Sequence, residues 1–158
     1  MLDDLRDLSQ EVILDHGKNP RNFGHAAGAN REAKGENPMC GDKFVVSLKL
    51  NDNGVVEDCA FLGKGCAIST ASASMMTEIV KGRTAEEARA LFTAFHDLCT
   101  KDDDEQAPHP DIADDDMERL MVMAGVRQFP VRVKCATLAW HAMRAALDGV
   151  ETASSDIY

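Results

Sequence analysis

The sequence predicts a mixed fold of class α+β, on three observations. One hairpin signal stands in the first half of the chain. Phe44, Val46, Leu48 and Leu50 alternate with Val45, Ser47 and Lys49, Asn51-Asp52-Asn53-Gly54 turns the chain, and Val55–Leu62 returns. Apolar residues elsewhere recur at helical spacing. No internal repeat or second domain interrupts this pattern, so residues 1–150 read as a single domain.

Taken in order, Leu2, Leu5, Leu8, Val12 and Ile13 place one apolar face on a helix over 2–15, which His16-Gly17-Lys18-Asn19-Pro20 ends. From there to Asn37-Pro38 the chain is rich in Gly, Ala and Asn, with room for at most a short strand around 30–36. After Gly63-Lys64-Gly65, the small-residue run from Cys66 to Val80 is helical in period. Thr84-Ala85-Glu86-Glu87 has the form of a capping box and opens a helix through Leu91, Phe92 and Phe95 that ends near Cys99. Met117, Leu120, Met121 and Ala124 suggest a short helix. Pro130 biases Phe129 toward an extended entry, and a helix is expected from about Cys135 to Gly149, with Cys135 in its first turn. The tail, 151–158, carries no pattern and is expected to fray.

Composition excludes several classes of function. A chain of 158 residues buries roughly 68–70% of the surface its unfolded form exposes and needs no staples. Its net charge of −10 argues against nucleic acid or an anionic membrane as partner. No apolar run approaches membrane-spanning length, and Met1-Leu2-Asp3-Asp4-Leu5 is acidic where a signal peptide is basic, so a cytoplasmic location is expected. Five cysteines, an odd number, favour metal or thiol chemistry over a disulfide framework. Cys59 and Cys99 fall inside regular elements and read as small buried hydrophobes.

Residues 101–118 hold nine acids against Lys101 alone. Such a run is either a solvated, mobile loop or a docking surface for a basic partner.

Three remaining cysteines sit at the ends of elements. In Cys40-Gly41-Asp42 the glycine lets the backbone bend so that thiol and carboxylate can reach one ion. Cys66 follows the second strand of the hairpin, and antiparallel pairing brings the loop before strand one and the loop after strand two to the same end. Cys135 arrives by the extended segment that follows Phe129-Pro130. A free thiol needs about 2 kcal/mol of help to ionise at neutral pH. A helix N-terminus supplies only about 0.3–1 kcal/mol of it, whereas metal coordination deprotonates a thiol outright. Three thiolates and a carboxylate suit Zn²⁺ or the irons of a small cluster; Arg127, Arg132 and Lys134 are candidates to offset the site's negative charge or are simply solvated. Spacing alone leaves the shared site open, because no C-x₂-C pair is present.

The combination of His16-Gly-Lys-Asn-Pro-Arg-Asn22, Cys40-Gly-Asp42, Gly65–Met76 and Phe129–Trp140 resembles the SufU branch of the IscU/NifU N-terminal family of iron–sulfur assembly proteins. The likeness runs over about residues 2–148. The acidic stretch near 100–118 is similar to the insertion that marks the SufU branch, and Lys134 stands where IscU scaffolds carry a histidine. The resemblance implies a three-stranded antiparallel sheet packed by helices. It also implies zinc held by Cys40, Asp42, Cys66 and Cys135, and a PLP-dependent, SufS-type cysteine desulfurase as sulfur donor. Cys40 is then the thiol that accepts persulfide sulfur after a histidine of the desulfurase displaces it from zinc, and a downstream acceptor or cluster scaffold takes the sulfur on. The alternative within the family is an iron–sulfur scaffold using the same ligands.

A metal-free Cys–His enzyme is the rival outside the family. His141 lies about 240° round a helix from Cys135, and His16, His25, His96 and His109 form no paired motif and read as surface residues.

Overall fold

The structure is a computed structural model and describes residues 2–38, 41–101, 103–105 and 108–154. The hairpin expected from the alternation is present as β2 (Asp42–Leu50) and β3 (Val56–Lys64), paired antiparallel. Its turn is tied by Asn51, whose side-chain oxygen accepts from the amides of Asn53 and Val55. The weak strand signal also holds. β1 (Arg31–Asn37) pairs antiparallel with β2, so the three strands form the expected antiparallel sheet.

A short β4 (Thr152–Ser154) adds to β1 in parallel and completes the order β3-β2-β1-β4. These residues belong to the tail expected to fray. The backbone amide of Lys34 donates to Glu151 at 2.8 Å and starts the pairing.

One face of the sheet meets the helices. Phe44, Val46 and Leu48 of β2, Cys59 and Phe61 of β3 and Ala33 of β1 are all buried there. α2 (Ala67–Val80) packs on β3, α5 (Pro130–Leu147) packs on β1 and β2, and α1 (Leu2–Lys18) packs on α2. α3 (Ala85–Thr100) lies against α5, its start fixed by the expected capping box, in which Thr84 and Glu87 exchange both hydrogen bonds at 3.1 Å. Phe95 of α3 stacks on Trp140 of α5 with ring centroids 4.7 Å apart.

The acidic stretch is more ordered than a loop. Asp103–Glu105 forms a 3₁₀ turn, and α4 (Asp114–Met121) carries three aspartates in its first turn, where the helix dipole favours them. Asp116 is buried and accepts from the Arg83 guanidinium at 2.8 Å, which anchors the segment to the turn before α3. Asp104, Glu105, Asp111, Asp114, Asp115 and Glu118 remain exposed.

α5 begins earlier than the sequence suggests. Phe129 is its N-cap and Pro130 its first residue, so Cys135 is the sixth residue and lies beyond the first turn. A proline at the first helical position has no amide to leave unsatisfied and a φ already suited to the helix. No described helix is long and apolar enough to cross a membrane.

Candidate metal centre

The site forms where the open end of the hairpin meets the starts of α2 and α5. Asn37 and Asp42 are paired across β1 and β2, and the amide of Gly41 donates to the Asn37 carbonyl at 2.8 Å, which closes the connection between the strands. Gly41 takes φ +74°, a conformation costly for any residue with a Cβ. Asp42 is 3% exposed and begins β2 with its carboxylate turned inward.

Cys66 is the N-cap of α2. Its backbone amide donates to Asp42 Oδ1 at 3.2 Å, and its Sγ accepts from the Ser69 amide at 3.4 Å. The sulfur therefore occupies the place of a capping oxygen at the start of the helix. Gly65 is required by crowding, since a Cβ there would meet the Phe44 ring at 2.7 Å and collide with the Ser69 hydroxyl.

α5 brings Cys135, 4% exposed, against this corner. The two cysteine-bearing helices are held together by small residues, and Ser72 Oγ donates to the Ala136 carbonyl at 2.5 Å. The result is that ligand atoms of Asp42, Cys66 and Cys135 all lie within 4.8 Å of one another. A tetrahedral zinc holds its ligand atoms about 3.3–3.8 Å apart, so shifts of an ångström or less would let one ion draw in all three.

The donor set fits such an ion. Asp42 Oδ2 is buried and has no hydrogen-bond partner among the described residues, and an unpartnered buried carboxylate oxygen is costly unless a cation meets it. Of the four expected ligands the structure therefore brings three together. The fourth, Cys40, lies outside the described residues, adjacent in the chain to Gly41.

The cations expected beside the site do not all point to it. The Arg132 guanidinium sits 4.8 Å over the Phe129 ring in an exposed position, Lys134 is half-buried, and the Arg127 side chain lies outside the described ones. Of Cys66 and Cys135, Cys66 alone stands at a helix start, since α5 begins at Pro130.

Residues 8–136 match the family described as the NifU-like N terminal domain. The chain belongs to this family. Its relatives there include the zinc-dependent sulfurtransferase SufU of Bacillus subtilis, 41% identical over 137 residues that span 86% of each chain. They also include the iron–sulfur cluster assembly scaffold protein IscU of Streptococcus pyogenes serotype M1, 38% identical over 146 residues, 92% of this chain and 86% of that one. Among solved structures, the NifU-like N-terminal protein of Brucella abortus superposes with a TM-score of 0.75 at 28% identity, covering 89% of this chain and 92% of that one. This NifU-like domain is thus a SufU/IscU-type iron–sulfur cluster assembly protein, and the three-stranded sheet with its helices is the family fold.

Sequence reasoning missed His16. Read as a surface residue, it is buried at 8% exposure, and its Nδ1 lies 2.7 Å from Ser74 Oγ on α2. Burial lowers its pKa, opposed in part by nearby Glu78. Ser74 also accepts from the Arg21 amide at 2.8 Å. The segment after α1 is thereby pinned along α2, and Gly17 packs beside Ala67 at the Cys66 end of that helix. The one available signal was the small-residue face of the α2 sequence, which invites a close neighbour.

Proposed function

We propose that this NifU-like domain is a zinc-dependent sulfur acceptor that takes persulfide sulfur from a PLP-dependent, SufS-type cysteine desulfurase for iron–sulfur cluster assembly. The observation that carries this reading is the convergence of Asp42, Cys66 and Cys135, with one Asp42 oxygen buried and unpartnered. Cys40, next to Gly41 in the chain, is assigned as the fourth ligand and the sulfur-accepting thiol.

Zinc, when bound, supplies thiols that are ionised yet protected at neutral pH. Zinc held by Asp42, Cys66, Cys135 and Cys40 would keep the Cys40 thiol ionised and would free it once a histidine of the desulfurase took its place. The Cys40 thiolate attacks the outer sulfur of the desulfurase persulfide; a new S–S bond forms on Cys40, the old one breaks, and the desulfurase cysteine departs as thiolate. A downstream acceptor or cluster scaffold then takes the sulfur.

The test is mass spectrometry after incubation with a cysteine desulfurase and cysteine. The expected result is an adduct of about 32 Da, one sulfur, on Cys40 and none in Cys40→Ala. An adduct on another thiol, or none, overturns the assignment. The 38% identity to an IscU scaffold supports a second reading, assembly of the cluster on the same ligands. Freshly purified protein that is brown, with iron and sulfide in place of colourless zinc, would favour that reading. The exposed acids of 104–118 are the surface proposed to meet the desulfurase, so its activation by this protein should weaken as salt rises.

A further inference from the structure

The face of the sheet turned away from the helices is only half covered. Residues 26–30 cover one half: the Ala26 amide donates to Ser47 Oγ at 2.8 Å, the Ala27 amide to Asp58 Oδ2 at 3.0 Å, and Asn30 pairs with the backbone of Leu50. Among the described residues, the half nearer the metal centre is open. The pairing register sets two rows across it, Lys34–Val45–Leu62 and Glu36–Lys43–Lys64.

We propose that this open half is a docking surface for an acidic protein partner that approaches beside the metal centre. Three observations support it. First, Lys34, Lys43 and Lys64 are exposed and, among the described residues, make no ion pair, whereas Lys49, Lys81 and Lys101 are paired with Glu57, Asp58 and Asp97. Second, the lysines rim an apolar floor of Val45 and Leu62, the latter 38% exposed, in a groove of about 530 Å³ that reaches Gly41, the neighbour of Cys40. Third, the strip sets three lysines against Glu36 alone. α5 separates the sheet from α3, and the exposed acids of 104–118 lie on the α3–α4 side. A chain of net charge −10 repels acidic surfaces in general, so this positive strip is where one can be admitted.

The occupant is a protein because the lysines stand on three neighbouring strands, roughly 10 Å from the first to the third, on an open apolar surface. A second copy of the chain is disfavoured. Its exposed acids could meet the strip only head to tail, a contact that leaves both faces unsatisfied and repeats without closing. That the partner is the recipient of the site's sulfur rests on the function proposed above; the docking itself does not.

The experiment is a titration of zinc-loaded, isotope-labelled full-length protein with a short synthetic peptide alternating Glu and Leu, followed by amide NMR at low salt. Shifts are expected at Lys34–Glu36, Lys43–Val45 and Leu62–Lys64. Lys34→Gln/Lys43→Gln/Lys64→Gln should weaken binding at least about tenfold, while Lys49→Gln/Lys81→Gln should not. Shifts confined to other residues, or equal affinity in the two variants, would overturn the proposal. So would equal binding of inorganic phosphate or glutathione at the same amides, which would mark a small-anion site. Salt-sensitive self-association abolished by the triple variant would overturn it in favour of a second copy. Peptide binding by a protein that accepts no sulfur from a desulfurase would leave this surface standing and remove the sulfur-transfer reading.

Discussion

Four cysteines of this chain are described, none in a disulfide, and they fall into two environments. Cys59 lies mid-strand on the inner face of β3, across from Leu48, and Cys99 near the end of α3; both are fully buried in the hydrophobic core. Cys66 and Cys135 meet at the end of the hairpin, where Asp42 and the start of α2 supply polar groups. Burial pushes the Cys59 thiol far up from its ordinary range, so it stays protonated. At the other end, Cys66 replaces a capping oxygen and receives an N–H. The chemistry of each sulfur is thus set by what faces it: a strand interior offers only apolar neighbours, whereas the ends of elements leave amides and carboxylates unspent.

The largest expected difference between the two environments is in metal affinity. Substitutions of groups that merely orient a ligand typically cost 10–100-fold, so loss of a ligand at Asp42→Ala, Cys66→Ser or Cys135→Ser should cost at least about 100-fold in zinc affinity, read by competition with a chromophoric chelator. Cys59→Ser should bind zinc as the wild type does. Asp42→Ala carries a sharper sign test. With zinc bound it should be less stable than wild type. Without zinc the gap should close or reverse, because the substitution also removes a buried oxygen that has no partner. A variant that keeps wild-type zinc affinity would remove Asp42 from the site.

Stability should order the same residues differently. Cys59→Ser places a hydroxyl among Leu48 and its neighbours on a fully buried strand face, and should cost about 1–3 kcal/mol in denaturant unfolding of the zinc-free protein. Cys66→Ser, at an exposed cap where serine is itself a good capping residue, should cost well under 1 kcal/mol in the same metal-free state. Equal losses at the two positions would mean that Cys59 is less enclosed than its burial implies. Arg83→Ala should cost about 2 kcal/mol, comparable to Cys59→Ser, because it leaves buried Asp116 without its closest cation.

What the sequence made legible follows from where its periodicity was clean. The β2–β3 hairpin was plain because one face is apolar and the other polar, and its topology foretold that Asp42 and Cys66 would meet. β1 was faint because its inner face carries Ala33 and Gly35, where a Cβ on Gly35 would press on Leu138 and Ala142 of α5 at 3.2 and 3.3 Å. Closeness of that kind depends on a helix a hundred residues later in the chain and has no local signature. Pro130 with Val131 and Val133 looked like an extended approach, yet the proline starts the helix, so Cys135 was placed a turn too early. β4 was hidden because three residues cannot display a period. Asp116 was hidden because its burial depends on Arg83, distant in sequence. The arrival of Cys135 at the other two ligands came from the family resemblance and not from spacing.

The smallest expected effect extends the comparison to a second kind of titrating group, the half-buried His141. The burial that keeps Cys59 protonated keeps His141 deprotonated, since in each case the neutral form is favoured. Burial is the main cause that lowers the pKa of His141 to about 4, and His96 on α3 and Arg144 on α5 add to it. Its ring meets Phe92 edge-on at 5.2 Å, with Arg144 over the other ring. The unfolded chain holds this histidine near its ordinary value of 6.5. As pH falls from about 6.5 toward about 4, the unfolded state therefore binds the proton first and stability is lost; above about 6.5 the contribution is complete. His96 and His16 shift in the same direction, so His141→Gln should reduce the acid slope without abolishing it. The measurement is thermal unfolding of zinc-free protein across that range, which removes the separate pH dependence of metal binding. Identical slopes for wild type and His141→Gln would mean that His141 reaches water in the folded state.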